Sequence, residues 1–111
     1  MLVSSIVSLQ LIVSVADRIP HFDVEPACRD SAAGSIGLKQ ELGLCLSDER
    51  EARQQLESAW SGFSNADRES CIRLEKSGGD PTYTELLTCL EMARESKKLP
   101  HDDAEASGIP H

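Results

Sequence analysis

The sequence predicts an all-α fold: a small bundle of three main helices with a short N-terminal helix, stapled by two disulfides. Three observations carry this. Apolar residues recur at alternating steps of four and three from Leu38 to Phe63, the spacing of one helix face. Gly and Pro gather around positions 34–37, 62 and 78–81, between the periodic runs, where they act as punctuation. Four cysteines sit in or beside those runs in a chain of 111 residues with only 4% aromatics. A core built mainly from Leu, Ile, Val and Ala in so short a chain is thin, and covalent staples then matter.

The elements follow in order. Residues 17–25, DRIPHFDVE, combine Pro20 with a sparse apolar pattern and read as an extended lead-in. Pro26 suits the first turn of a short helix through Cys28 to about Ala33, because its missing N–H is not needed there. Gly34, Ser35 and Gly37 end that helix. The stripe Leu38, Leu42, Cys45, Glu49, Ala52, Leu56, Ala59 and Phe63 then defines one face of a long helix, with Leu46 and Trp60 beside it. Every member but Glu49 is apolar or cysteine. Gly43 and Ser47 weaken the middle of this helix, so a break there is an alternative. Ser64 is placed to cap a helix over about 65–77. Gly78-Gly79 stops it and Asp80-Pro81 forbids continuation. Thr82 with Glu85 makes a capping-box pattern before Tyr83, Leu86, Leu87, Leu90 and Ala93, giving a last helix to about Lys98. The helical domain therefore spans 26–98, and the polar, aperiodic segment 99–111 reads as a disordered tail.

Four cysteines allow three pairings, and the helix boundaries discriminate among them. At 1.5 Å per residue, Cys71 lies about 10 Å from the turn near Ser64 while Cys45 lies about 27 Å from it, so these two do not meet in a hairpin. Cys71 and Cys89 come level across the turn at Gly78–Pro81, which makes Cys71–Cys89 the preferred bridge. By elimination Cys28 pairs with Cys45 across the turn at Gly34–Gly37. Each bridge closes a loop of about 18 residues, worth roughly 3 kcal/mol on the chain-entropy model. Neither Cys-x-x-Cys nor the paired ligand spacing of a zinc site occurs, so redox and metal roles for these cysteines are disfavoured.

The formal net charge of −8 opposes binding to nucleic acid, which needs clustered Lys and Arg. Solubility, mutual repulsion or attraction to a basic partner are the readings left for it. Residues 1–16 carry no charge and are strongly apolar, ending in Ser14-Val15-Ala16 before Asp17-Arg18. This matches the hydrophobic region and small-residue cleavage site of a signal peptide; the departure is the lack of Lys or Arg before Arg18. As a helix it would reach about 24 Å, short of the roughly 30 Å hydrocarbon core, so no stable membrane span is expected. Export to the periplasm or the exterior is the expectation, with the cytoplasm as the location if the leader is not functional.

Candidate sites are few. His21, His101 and His111 fall outside the helices, and metal binding there is disfavoured against a solvated tail because a metal site needs a fixed first shell. No nucleophile elbow, zinc-protease, P-loop or EF-hand motif appears. Trp60 and Phe63 are assigned to the core in preference to a partner anchor, and the Tyr83 ring is expected to pack whether or not its hydroxyl stays wet. Glu41-Leu42-Gly43-Leu44-Cys45-Leu46 echoes Glu85-Leu86-Leu87-Thr88-Cys89-Leu90, too common a helical pattern to imply a duplication. No catalytic, cofactor-binding or metal residue is assigned, and the only site residues are the disulfide cysteines Cys28, Cys45, Cys71 and Cys89.

From Cys45 to about Pro100 the chain resembles a family of short, exported, uncharacterised proteins of alphaproteobacteria with four cysteines. The resemblance rests on Asp48-Glu49, Ala52-Arg53, Leu56, Trp60 and Phe63, on Asp67-Arg68 and Cys71, and on the run from Pro81-Thr82-Tyr83 through Met92-Ala93-Arg94. It covers about half of the chain and implies export and disulfides, not a reaction. The expected function is a non-enzymatic exported interaction module with a protein partner. The alternatives are a small acid-stress or holdase-type chaperone, and an enzyme with an unrecognised site.

Overall fold

A computed structural model describes residues 17–99; the expected leader (1–16) and all of the expected tail but Leu99 lie outside the described residues. Four α-helices follow one another: α1 (Glu25–Ala32), α2 (Leu38–Ala59), α3 (Asn65–Ser77) and α4 (Tyr83–Ser96), with a 3₁₀ turn over Trp60–Gly62 after α2. The described chain is all-helical, with both disulfides paired as the helix geometry requires. The Cα atoms of Cys28 and Cys45 are 5.6 Å apart and those of Cys71 and Cys89 are 5.8 Å apart, within the range a disulfide spans.

The chain reads as two stapled helical hairpins. Both hairpin turns use a glycine at positive φ, Gly34 at 85° and Gly79 at 108°, a region that penalises any side chain. Ser64 caps α3 by accepting the Asp67 N–H at 3.2 Å, and Thr82 caps α4 by accepting the Glu85 N–H at 3.1 Å. α2 runs through Gly43 and Ser47 without a break.

α4 is the central element and packs against both α2 and α3, while α1 packs on α2 alone. Leu56 from α2 and Leu86 and Leu90 from α4 are fully buried. Around them close Ala52, Trp60, Phe63, Cys71, Ile72 and Tyr83. Trp60 and Phe63 are therefore core residues, with the Arg68 and Arg94 guanidinium groups over their respective rings at 5.6 and 4.8 Å. α4 runs parallel to α2, its start beside Glu49 and its end beside Phe63. The Lys97 ammonium then ties it to the start of α3 through Asp67 and Ser64.

Two features go beyond the sequence pattern. The apolar stripe of α2 is not buried along its whole length: Leu38 is 50% exposed and Leu42 half-buried, and core burial begins at Glu49. At 1.5 Å per residue, α2 is about 33 Å long and α4 about 21 Å, so α4 covers only the later part of α2 and leaves the first turns to α1. Residues 19–24 lead into α1 without helix or strand, and they pack on the bundle. Phe22 is buried in the core, with Ile19 and Val24 packed against it. The Phe22 ring lies 5.1 Å from that of Tyr83.

Candidate functional site

The most heavily constrained point of the molecule is the first turn of α4. A helix start leaves four N–H groups without intrahelical partners, and here the N-cap residue and two neighbouring helices supply acceptors. Thr82 takes the Glu85 N–H. Glu49, from the middle of α2, accepts the Tyr83 N–H at 2.6 Å and the Thr84 hydroxyl at 2.6 Å, with the Thr84 N–H at 3.4 Å. Glu75, near the end of α3, accepts the Thr82 N–H at 3.4 Å. The capping box is thus only half formed, because the reciprocal acceptor for Thr82 comes from Glu75 and not from Glu85.

Glu49 is 5% exposed, the only charged residue type among the buried residues described. It is the polar member of the stripe, and its place there is explained by this capping role. Glu75 is pushed up from the ordinary 4.5 to about 7, first by desolvation, then by a hydrogen bond shared with Glu85 and the nearby charges of Glu85 and Glu49, against the opposing Thr82 N–H. Three carboxyl groups thus converge on one helix start, whose positive end favours acidic groups.

Tyr83 extends the same point towards the N-terminal segment. Its hydroxyl donates to the Pro20 carbonyl at 3.1 Å and accepts from the Phe22 N–H at 2.8 Å. The Arg53 guanidinium lies over its ring at 5.5 Å. The hydroxyl is therefore a clamp for residues 20–22.

Beside this point lies an open groove of about 440 Å³. α1 and α4 both pack on α2 but not on each other, so a channel is left between them with α2 as its floor. Ala27 and Ala32 line it from α1, Leu44 and Asp48 from α2, and Thr84 and Glu85 from α4. Cys45 of the first disulfide and Glu41 complete the floor and rim. Leu44 is 54% exposed, and Glu41 and Asp48 make no ion pair among the described residues. No Lys, Arg or His lines the groove. A second groove of about 420 Å³, bounded by Gln54, Gln55, Phe63, Glu91 and Arg94, lies between α2 and α4 and carries charges of both signs.

The cysteines, the only site residues assigned from sequence, stand in two separate hairpins, and only the Cys28–Cys45 bridge borders the groove. Of the histidines, His21 is exposed on the N-terminal segment, and His101 and His111 lie outside the described residues. Among the described residues no group of three or more His, Cys, Asp and Glu is placed to hold a metal, and no helix is long and apolar enough to cross a membrane. Sequence reasoning missed the groove and the clamp. The signals available were Glu49 on an apolar stripe and the echoed Glu41 and Glu85, which face the same groove.

Comparison with known proteins gave no matching family model, no matching curated protein and no matching solved structure.

Proposed function

We propose that this protein is a non-enzymatic, exported interaction module of the alphaproteobacterial family it resembles, acting in the periplasm or outside the cell by holding a partner protein in the groove between α1 and α4. One observation carries the reading: the Cys28–Cys45 bridge holds α1 on α2 and away from α4, leaving Leu44 exposed on the floor of a preformed channel. Preformed concave surfaces with apolar floors and a few polar groups are the usual form of recognition sites. The two disulfides are compatible with an oxidising compartment.

An acid-activated holdase must expose apolar surface as pH falls. The carboxyl cluster at the start of α4 works the other way, because protonating Glu75 relieves repulsion among Glu75, Glu85 and Glu49. Protonation of Glu75 between neutral and mildly acid pH therefore adds to stability at this end of the bundle, which favours the interaction reading over the holdase.

The test is a photo-crosslinking residue at position 44 in the producing cell, with position 74 on α3, equally open to solvent, as the control. A discrete adduct from position 44 that is missing from position 74 supports the reading. Adducts from neither position, or from both alike, oppose it. N-terminal sequencing of the recovered protein tests export: a start at or near Asp17 is expected, and intact residues 1–16 on cytoplasmic material would defeat it.

A further inference from the structure

We propose that the groove between α1 and α4 takes a cationic, partly apolar peptide segment of the partner, with Leu-type side chains on Leu44 and Cys45, and Lys or Arg against Glu41, Asp48 and Glu85. This rests on the interaction reading above and specifies its ligand.

Three observations converge on this chemistry. The charged residues lining the groove are Glu41, Asp48, Glu49 and Glu85, all acidic, so their fields add within a concave surface. Glu41 and Asp48 form no ion pair with a cation of the described chain, so their charge is available to a ligand. The nearby start of α4 does not compete for an anion, because Tyr83, Thr84 and Glu85 already donate their N–H groups to Glu49 and Thr82. An anionic segment would therefore meet repulsion with no free N–H of Tyr83, Thr84 or Glu85 to offset it.

The apolar half of the ligand follows from the floor. Leu44 is 54% exposed, and Ala27 and Ala32 opposite are small, which leaves room for apolar side chains beside Leu44 and Cys45. A space of about 440 Å³ matches a few side chains of a segment and not a globular surface, which fits an amphipathic peptide laid along a groove.

The groove is distinguished from general acidity by its counterpart between α2 and α4. That one includes Arg94 beside Glu51 and Glu91, so an incoming cation there meets a resident one. Net charge of −8 acts on every approach, but of these two grooves the first alone joins unpaired acids to an exposed leucine with no resident cation.

The experiment titrates the disulfide-intact protein with three short synthetic peptides of equal length, built from Leu with Lys, Leu with Gln, and Leu with Glu. Nuclear magnetic resonance shifts locate the binding and calorimetry measures it. The Leu/Lys peptide is expected to shift Ala27, Leu44 and Thr84 and to weaken as salt is raised. The double variant Glu41→Gln with Asp48→Asn should weaken it by about tenfold, since each exposed pair is worth a factor of roughly two to five. The charge-matched control Glu51→Gln with Glu91→Gln should leave it unchanged, and helix content of both variants is checked by circular dichroism. Equal binding of the Leu/Gln peptide in the groove overturns the cationic assignment and leaves the interaction reading standing. Equal loss in both double variants reduces the effect to net charge and also overturns it. If no peptide binds while position 44 still crosslinks in cells, the cationic assignment fails alone; if neither occurs, both fail.

Discussion

The Glu49 carboxyl accepts the backbone N–H of Tyr83 at 2.6 Å across 34 positions of sequence. One acid from the middle of α2 thus fixes where α4 begins, and with it the height of Tyr83 against Phe22 and the α4 wall of the groove. A buried acid with donors from backbone and hydroxyl is costly to disturb, because any partner left behind stays unsatisfied.

Glu49→Ala is therefore expected to lower stability by about 2–3 kcal/mol, combining loss of a helix cap with buried unsatisfied donors. Glu49→Gln, which keeps an acceptor, should cost roughly half of that. Urea unfolding followed through the single Trp measures both; a drop in midpoint at constant slope is the expected form. An unchanged midpoint for Glu49→Ala would show that solvent satisfies the start of α4 as well as Glu49 does.

Local chemistry was legible in the sequence, and long-range polar contacts were not. Ser64, Thr82, Gly79 and Pro81 act within a few residues of themselves, so the boundaries of α3 and α4 could be read from them. The cysteine pairs followed because helical rise converts sequence distance into height. Glu49 stood out only as an anomaly in its stripe, since its partners Tyr83 and Thr84 are on another helix. Phe22 carried no periodic signal, as an extended segment of so few apolar residues has none to give. Periodicity left the burial of Leu38 and Leu42 open, because it says which face is apolar and not how far along the helix a neighbour reaches.

Tyr83→Phe should release the N-terminal segment while sparing the bundle. The hydroxyl holds the Pro20 carbonyl and the Phe22 N–H, while the ring packs on Phe22. Losing two hydrogen bonds costs about 1–2 kcal/mol, much of it local. Amide exchange at Phe22 should accelerate more than exchange in α4. Uniform acceleration in both would mean that the segment and the bundle open together.

Glu75 gives a pH dependence with a definite sign. Its folded pKa is raised from 4.5 to about 7, so the folded state binds the proton more tightly than the unfolded one. Its contribution is fully present below about pH 4.5 and is lost as pH rises through 7. Because the side chain is only partly buried, the loss is on the order of 1 kcal/mol and well short of full linkage. Asp67 acts oppositely: the hydrogen bond from Lys97 holds it below 3.8, so its contribution disappears only as pH falls below the ordinary carboxylate range. The urea midpoint should thus fall between pH 5 and pH 8, and Glu75→Gln, which still offers Thr82 an acceptor, should flatten that fall and raise the midpoint at pH 8. A variant with the slope of the parent protein would place the titration elsewhere.

The two disulfides should differ in what they hold. Cys71 belongs to the core with Ile72, Leu86 and Leu90, and Cys89 packs against it, whereas Cys28 and Ala32 are buried outside that core, between α1 and α2 alone. Replacing Cys71 and Cys89 together with Ala should cost about 2–5 kcal/mol of global stability. Replacing Cys28 and Cys45 together should instead let α1 detach, because an eight-residue helix is too short to persist by itself. Its amides should lose protection while the unfolding midpoint seen through Trp60 moves little. The groove then loses the wall bearing Ala27 and Ala32, so binding there should fail in a protein whose core is intact. Equal losses of global stability in the two double variants would show that α1 unfolds with the bundle, and that the first bridge holds the whole domain and not the groove alone.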